Sequence, residues 1–282
     1  MLAESVVMHE QGIRLAVFFL VFAAMAGWEV WAPRRALQQS KALRWSNNAG
    51  LTVINTVIVR ALLPLVPVSV AAFAETHGMG LLHLFPLSSP LAVVLSILVF
   101  DLAIYLQHLM LHAVPLLWRV HRVHHADLDF DVTTGARFHP IEIALSMLIK
   151  SAVILVLGPP ALAVLVFEIL LNATSMFNHG NVRLPAAAER IVRWLVVTPD
   201  MHRVHHSILA RETNSNFGFN LPWWDRLFGT YKAQPGAGHE GMTIGAGQFR
   251  LPRELWLDRM LLQPFHTDTG GYSVGERHRL PS

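Results

Sequence analysis

The chain has 282 residues, of which 53% are hydrophobic and 15% charged, with a net charge of +3 and no cysteine. The lack of thiols excludes disulfides, iron–sulfur clusters and thiolate zinc sites. The positive balance is modest and no basic stripe with interleaved aromatics runs along the chain, so no nucleic-acid partner is expected; attraction to anionic lipid headgroups is the simpler use of the charge.

The apolar stretches reach the length of about 20 residues needed to cross a bilayer, which makes this an integral membrane protein. The first candidate span runs from Ile13 to Trp31. No basic segment precedes it and no small-residue cleavage site stands before Trp28 and Trp31, so it reads as an anchor and not as a cleaved signal peptide. Arg34, Arg35, Lys41 and Arg44 then place the following loop in the cytosol by the positive-inside rule. A second span, Leu51 to Phe73, leads to an outside loop from Glu75 to Ser89, and a third, Leu91 to Leu111, opens at Pro90 and carries His108 and His112 to its cytosolic end. Arg119, Arg122 and Arg137 agree with that side. The apolar region from Ile141 to Phe177 is interrupted by Gly158, Pro159 and Pro160, which predicts a hairpin of two helices whose entry, at His139, and exit, at His179, face the same compartment.

From Ile191 onward the chain is more polar and predicts a cytosolic helical cap with a loosely structured end, so that truncation after Tyr231 is expected to be mild. The predicted fold is all-α and membrane-integral, with about four transmembrane or deeply inserted elements, the last a hairpin, under a cytosolic cap. It divides into anchor helices (1–90), a catalytic domain (91–231) and a polar C-terminal tail (232–282).

The histidines carry the chemistry. The pattern His-x-x-His-His occurs at His121/His124/His125 and again at His202/His205/His206, with His108/His112 just upstream of the first. With 16 histidines a random order yields one such triplet about 0.05 times, so composition does not account for two. Residues i, i+3 and i+4 share a helix face, so each cluster can aim its rings at a common point. Eight imidazoles exceed what one ion uses, which points to two metals, and neutral imidazole suits iron, zinc, copper or nickel. Isolated histidines, His9, His77, His83, His239, His266 and His278, are set aside as interfacial polar residues, and Trp223, Trp224 and Phe228 as an aromatic belt or packing. Asp101, an acid inside a span, either caps a helix or has a functional partner. A structural zinc site is disfavoured because such sites take four ligands, mostly Cys. A metal transporter would place its ligands near the bilayer midplane and is kept as a remote alternative. A metalloprotease fails, because neither His9-Glu10 nor His239-Glu240 has the second histidine of His-Glu-x-x-His.

The order His108-x3-His112, His121-x2-His124-His125, a lone His179 after an apolar hairpin, and His202-x2-His205-His206 resembles the fatty acid hydroxylase/sterol desaturase superfamily. Asp101 and Tyr105, Trp118, Arg137-Phe-His-Pro-Ile-Glu142, Thr198-Pro-Asp-Met-His202, Asn216-Phe-Gly218 and Trp224 to Tyr231 complete the likeness over roughly Leu91 to Tyr231. The resemblance implies a non-haem di-iron enzyme that uses O₂ to hydroxylate an unactivated C–H bond of a lipid of the sterol, fatty acyl or alkylglycerol class, or alternatively to desaturate it. It implies His108, His112, His121, His124, His125, His179, His202, His205 and His206 as ligands of two iron ions, for which zinc can substitute in purified protein. His139 is either a ligand or a residue just outside the ligands, and Asp101, Glu142, Asn178 and Asp200 are candidates to orient ligand rings through their second nitrogen. Members often carry a second histidine one turn before the position of His179. Ser175 stands there in this chain, so the coordination number of one metal stays open. With no haem-binding domain and no dinucleotide fingerprint, a separate electron-donor protein is implied. The site is expected on the cytosolic side of the membrane, the inner membrane in a bacterium or the endoplasmic reticulum in a eukaryote.

Overall fold

The structure is a computed structural model that describes residues 7–62 and 67–274. Among these the chain is helical throughout, with two isolated β-bridges and no strand. The long helices are α1 (Glu10–Trp31), α2 (Lys41–Leu62), α4 (Ser89–Ala113), α6 (Pro140–Leu157) and α7 (Ala161–Asn178), and α3 (Pro67–Thr76) continues the second apolar stretch. Five candidate membrane spans result by length and hydropathy, the second running from Lys41 to Leu84 across α2 and α3. The architecture is the all-α integral membrane fold expected, with the fourth apolar region resolved into two helices.

Local chemistry sets the breaks. Pro115 cannot continue α4 and opens α5 (Pro115–His125) at its first position, one residue beyond Val114. Gly158 ends α6 in the left-handed conformation at φ 67°, and Pro159 and Pro160 forbid its continuation. Here a side chain has no room: a Cβ on Gly158 would stand 2.1 Å from Met79 O, because residues 79 and 80 cross directly over the hairpin turn.

The apolar core joins Val68 and Ala71 of α3, Phe100 and Ile104 of α4, Ile154 of α6 and Val164 and Phe167 of α7, with Phe100 stacked on Phe167 at 5.1 Å. Between helices in lipid such contacts act through close packing more than through water exclusion. One buried charge in the spans is met by two of opposite sign, which offsets its desolvation: Glu168 of α7 accepts from Lys150 of α6 at 2.5 Å and from Arg14 of α1 at 3.0 Å.

Two features differ from expectation. Lys41 and Arg44 are not in a cytosolic loop; α2 begins at Lys41, and Arg44 is fully buried because two carboxylates, Asp127 and Asp131, meet its guanidinium. The end of the chain is not loose as far as Val274. Met242, Ile244, Leu255, Met260 and Tyr272 are buried, and the carbonyls of Gln263 and His266 accept hydrogen bonds from Arg122.

Candidate metal centre

Four segments converge at one end of the bundle. The last turns of α4 present His108 and His112 on one face. After the Pro115 turn, α5 presents His121, His124 and His125. His179 is the residue that ends α7, and α9 (Pro199–His205), capped by Thr198 Oγ1 accepting from Met201 N, brings His202 and His205 with His206 at its end. Between α7 and α9 lies the short α8 (Ala186–Val192).

The nine rings form two groups. His108, His112, His121, His125 and His205 make one; His124, His179, His202 and His206 make the other; within each, one nitrogen per ring lies within 4.8 Å of all the rest. Each His-x-x-His-His triplet is therefore divided. From α5 the i, i+4 pair His121/His125 serves the first group and His124 the second, whereas from α9 the pair His202/His206 serves the second and His205 the first. A single triplet spreads over more of the helix circumference than one ion can use, so helices facing each other share both sites.

Several ring nitrogens face one another, and between His108 and His121 neither has a hydrogen to donate, since both Nδ1 hydrogens are engaged elsewhere. His108 Nε2 lies 3.1 Å from His121 Nε2, which lies 3.2 Å from His125 Nε2; His179 Nε2 lies 3.1 Å from His124 Nε2 and 3.0 Å from His202 Nε2. Two nitrogens bound at about 2.1 Å to one ion, with bonds at right angles, stand about 3.0 Å apart. His112 Nε2, His205 Nε2 and both nitrogens of His206 are buried without a partner. The outer nitrogens explain the orientation: His108 Nδ1 donates to Phe217 O, His112 Nδ1 to Asn214 Oδ1, His121 Nδ1 to Glu142 Oε1, His179 Nδ1 to Ser175 O and His205 Nδ1 to Ser215 O, at 2.7–3.0 Å. Protonating Nδ1 leaves the Nε2 lone pair pointing inward, the form a metal takes. Burial, reinforced by neighbouring imidazoles, holds His124, His125, His202 and His206 well below the ordinary histidine range; burial foremost also lowers His179 and His205 to about 3. At neutral pH these rings are uncharged and fit two cations.

Of the remaining expected residues, Glu142 meets a ring of the first group, and the others hold the scaffold. Asp101 Oδ2 accepts from Trp224 Nε1 and from Leu221 N, tying the segment after the second triplet to α4. His139 caps α6, accepting from Ile141 N through Nδ1, and its Nε2 lies 3.3 Å from Leu261 O, outside both groups. Asn178 donates to Phe219 O. Asp200 faces away from the rings, towards Arg203, Arg34 and His239. Asp101, Asn178 and Asp200 are drawn off by an indole and a backbone amide, by a backbone carbonyl and by arginines in turn, partners that hydropathy and motif spacing do not reveal.

Other residues bear on the site without having been expected to orient a ring. Arg44 grips Asp127 with Nε and Nη2, both at 2.8 Å, and Asp131 with Nη1. Asn48 donates to Thr133 Oγ1 and accepts from Arg137, which also holds Val123 O. This clamps the loop after His125 so closely that a Cβ on Gly135 would sit 3.2 Å from His179 Nδ1. Trp118 is fully buried against His112 and His125 and stacks on Tyr272 at 5.4 Å. The run Asp127-Leu-Asp-Phe-Asp131 directly after the first triplet is the one sequence signal for this layer.

An all-helical membrane protein with two imidazole-lined groups at one end of its bundle is what the fold and the site define. Residues 93–230 match the fatty acid hydroxylase family. It is similar to the ornithine lipid hydroxylase OlsE of Rhizobium tropici, 30% identical over 171 residues that cover 60% of this chain and 51% of the relative. It is also similar to the alkylglycerol monooxygenase of Xenopus tropicalis (29% identical, covering 52% of this chain and 32% of the relative) and to the cholesterol 25-hydroxylase of Rattus norvegicus (28%, covering 51% and 47%). The matches thus span between a third and a half of the relatives' own lengths. No solved structure matches the chain.

Proposed function

We propose that the chain is a membrane-bound, O₂-dependent di-iron oxygenase that hydroxylates an unactivated C–H bond of a lipid. The observation that carries this reading is the pair of buried, uncharged imidazole groups. His108 Nε2 and His121 Nε2, both bare because their Nδ1 hydrogens are engaged, face each other at 3.1 Å, and the single lone pair of His179 Nε2 meets both His124 Nε2 and His202 Nε2 at 3.0–3.1 Å, a crowding that a cation in each group relieves. His108, His112, His121, His125 and His205 would hold one iron, and His124, His179, His202 and His206 the other. When bound, such a pair supplies the redox chemistry for O₂ that no side chain provides.

The chain's own residues do the rest. Glu142, Asn214 and the carbonyls of Phe217, Ser175 and Ser215 fix the ring tautomers. Phe130 and Phe138 pack against the rings and exclude water. The second group has one imidazole fewer than the first, Ser175 occupying the place one turn before His179, and so leaves more of its ion's positions to non-protein ligands.

Placing both groups at the membrane end of α4 and α7 lets the substrate's tail stay among apolar helices while its reactive carbon reaches the site. The relatives named for hydroxylation of ornithine lipid, alkylglycerol and cholesterol favour hydroxylation over desaturation. We assign the site to the cytosolic face from the basic residues around it and supply electrons from a separate donor protein. Metal analysis of protein purified after growth with iron, paired with a lipid comparison of cells with and without the chain under air, tests the reading. About two metal ions per chain and a lipid gaining one oxygen are expected. One tightly held zinc and an unchanged lipid profile would overturn it, and a lipid losing two hydrogens would replace hydroxylation by desaturation.

A further inference from the structure

Beyond the histidines, the cap carries a surface that a water-facing domain would not. Ile191, at 65% exposure, Trp194 and Leu195 lie at and just beyond the end of α8, and Trp223, Leu227 (70%) and Phe228 stand on α10 (Trp223–Leu227) and the residue that ends it. The two segments form one face. Trp223 Nε1 donates to Trp194 O at 2.7 Å, and the Arg226 guanidinium lies 3.7 Å over the Trp194 ring while donating to Arg193 O. A contiguous patch of this kind on a soluble surface marks a binding face.

Its position says what covers it. Asp101, which accepts from Trp224 Nε1 and Leu221 N, is the thirteenth of the 25 residues of α4. Phe228 stacks on Tyr105 of the same helix at 5.4 Å, and Tyr105 Oη lies 2.9 Å from Thr230 Oγ1. Asp101 precedes His108 by seven residues, which is about 10 Å along a helix. The patch is thus fastened to a spanning helix on the bilayer side of the histidines, from Asp101 at the helix middle to Tyr105, eight residues or about 12 Å short of its end, the side on which the border between headgroups and acyl chains is to be sought. Trp and Arg are the residues that suit that border, the ring in the apolar layer and the guanidinium among the phosphates. Arg190, Arg193 and Arg226 lie within the two segments; the acids beside them are engaged inside the protein, Glu189 with Arg193 and Thr198, and Asp225 with Phe217 N and Gly218 N.

We propose that residues 190–195 and 223–228 form an in-plane wedge inserted into the phospholipid leaflet beside α4, with the exposed Arg190 at the anionic headgroups. The wedge is linked to the histidines: Asp225 holds Phe217 N and Gly218 N, and Phe217 O receives His108 Nδ1. Insertion into lipid therefore steadies the carbonyl that orients the first ligand of α4.

The chain has no cysteine, so Leu227→Cys and, as a reference on the exposed tail, Thr267→Cys each give a single thiol for a nitroxide label. Each full-length variant is reconstituted at one chain per nanodisc of phosphatidylcholine and phosphatidylglycerol, and the label's collision rates with oxygen and with water-soluble chromium oxalate are compared. A ratio of oxygen to chromium oxalate several-fold higher at 227 than at 267 is expected. Equal ratios at the two positions would overturn the wedge and return the patch to a protein partner or a second copy. Neither label needs a metal or a substrate, so the outcome is independent of the proposed reaction.

Discussion

Glu142 Oε1 receives the Nδ1 hydrogen of His121 at 2.7 Å, and both groups are almost fully buried. The carboxylate comes from the second residue after the Pro140 opening of α6, seventeen positions beyond the end of α5, so one ring of the first group is aimed by the entrance of the hairpin. Outer hydrogen bonds of this kind are worth about 10–100-fold in metal affinity. Glu142→Ala should weaken one of the two bound ions by about that factor, measured by the rate of metal transfer to a chelator, and Glu142→Gln, which keeps an acceptor oxygen, should lose less. Equal retention in wild type and Glu142→Ala would remove the orienting role.

The division of the triplets gives a test that counting histidines does not. His124 belongs to the four-ring group and His205 to the five-ring group, although each is a member of a His-x-x-His-His motif. His124→Ala and His205→Ala should each lower metal content from about two ions per chain to about one, with the double variant near zero, because each removes a ligand from a different group. Loss of both ions from either single variant would mean that the groups do not bind independently.

Much of this was legible in sequence because helical spacing is local. The i, i+3, i+4 histidines, the Pro115 and Pro140 starts and the Gly158-Pro159-Pro160 break each depend on residues within one or two turns. What stayed hidden depends on long separations. Arg44 meets Asp127 across 83 positions, and in hydropathy it looks like one more basic loop residue. Arg122 looks like a cytosolic marker, yet it is buried against the carbonyls of Gln263, His266 and Asp268. The split of each triplet follows from which helix stands opposite, which no single-helix pattern contains.

Arg44 is the cation that ion-pairs with both buried carboxylates, Asp127 and Asp131, and its removal leaves Asp127 with only the more distant Arg137. Arg44→Met should destabilise the protein by about 3–5 kcal/mol, read as a fall in melting temperature of the detergent-solubilised chain, with Arg44→Lys recovering only part because it lacks the bidentate fork. The pair also sets an acid limit. Arg44 and the Thr134 hydroxyl overcome burial and hold Asp127 at about 2, below its ordinary value of 3.8. A depressed acid stabilises the folded state above the unfolded value and loses that contribution as pH falls from 3.8 towards 2. An Arg44→Met protein whose melting temperature matches wild type at pH 7 would contradict the assignment.

The imidazoles titrate in a different window with the same sign. Burial lowers His179 and His205 to about 3 from the ordinary 6.5, so the unfolded chain takes up protons below 6.5 that the folded chain refuses. Metal-free protein should therefore be most stable above pH 6.5 and lose melting temperature steadily as pH falls towards 3. Iron- or zinc-loaded protein, whose rings are held neutral by the ion, should start to fall at a lower pH than the metal-free form. Melting curves of both forms between pH 8 and 5 decide it, and parallel curves would show that the ions do not bind these rings.

Against the sequence-based expectation of a mild truncation stands a chain of contacts from the tail to the rings. Tyr272 O accepts from Asn214 Nδ2, and Asn214 Oδ1 accepts from His112 Nδ1, so a residue outside the hydroxylase-like segment sets the amide that sets a ring of the first group. The Tyr272 ring also covers Trp118, whose Nε1 donates to Thr269 O, and three tail carbonyls satisfy Arg122. A chain ending at Tyr231 would leave a buried guanidinium and indole without acceptors, each worth about 1–3 kcal/mol or more, and His112 without a fixed tautomer. It should fail to hold metal at the first group, whereas Asn214→Ala in the full chain should fold and weaken that group by about 10–100-fold. If the shortened chain is purified with both ions bound as tightly as in the full chain, the tail has no part in the centre.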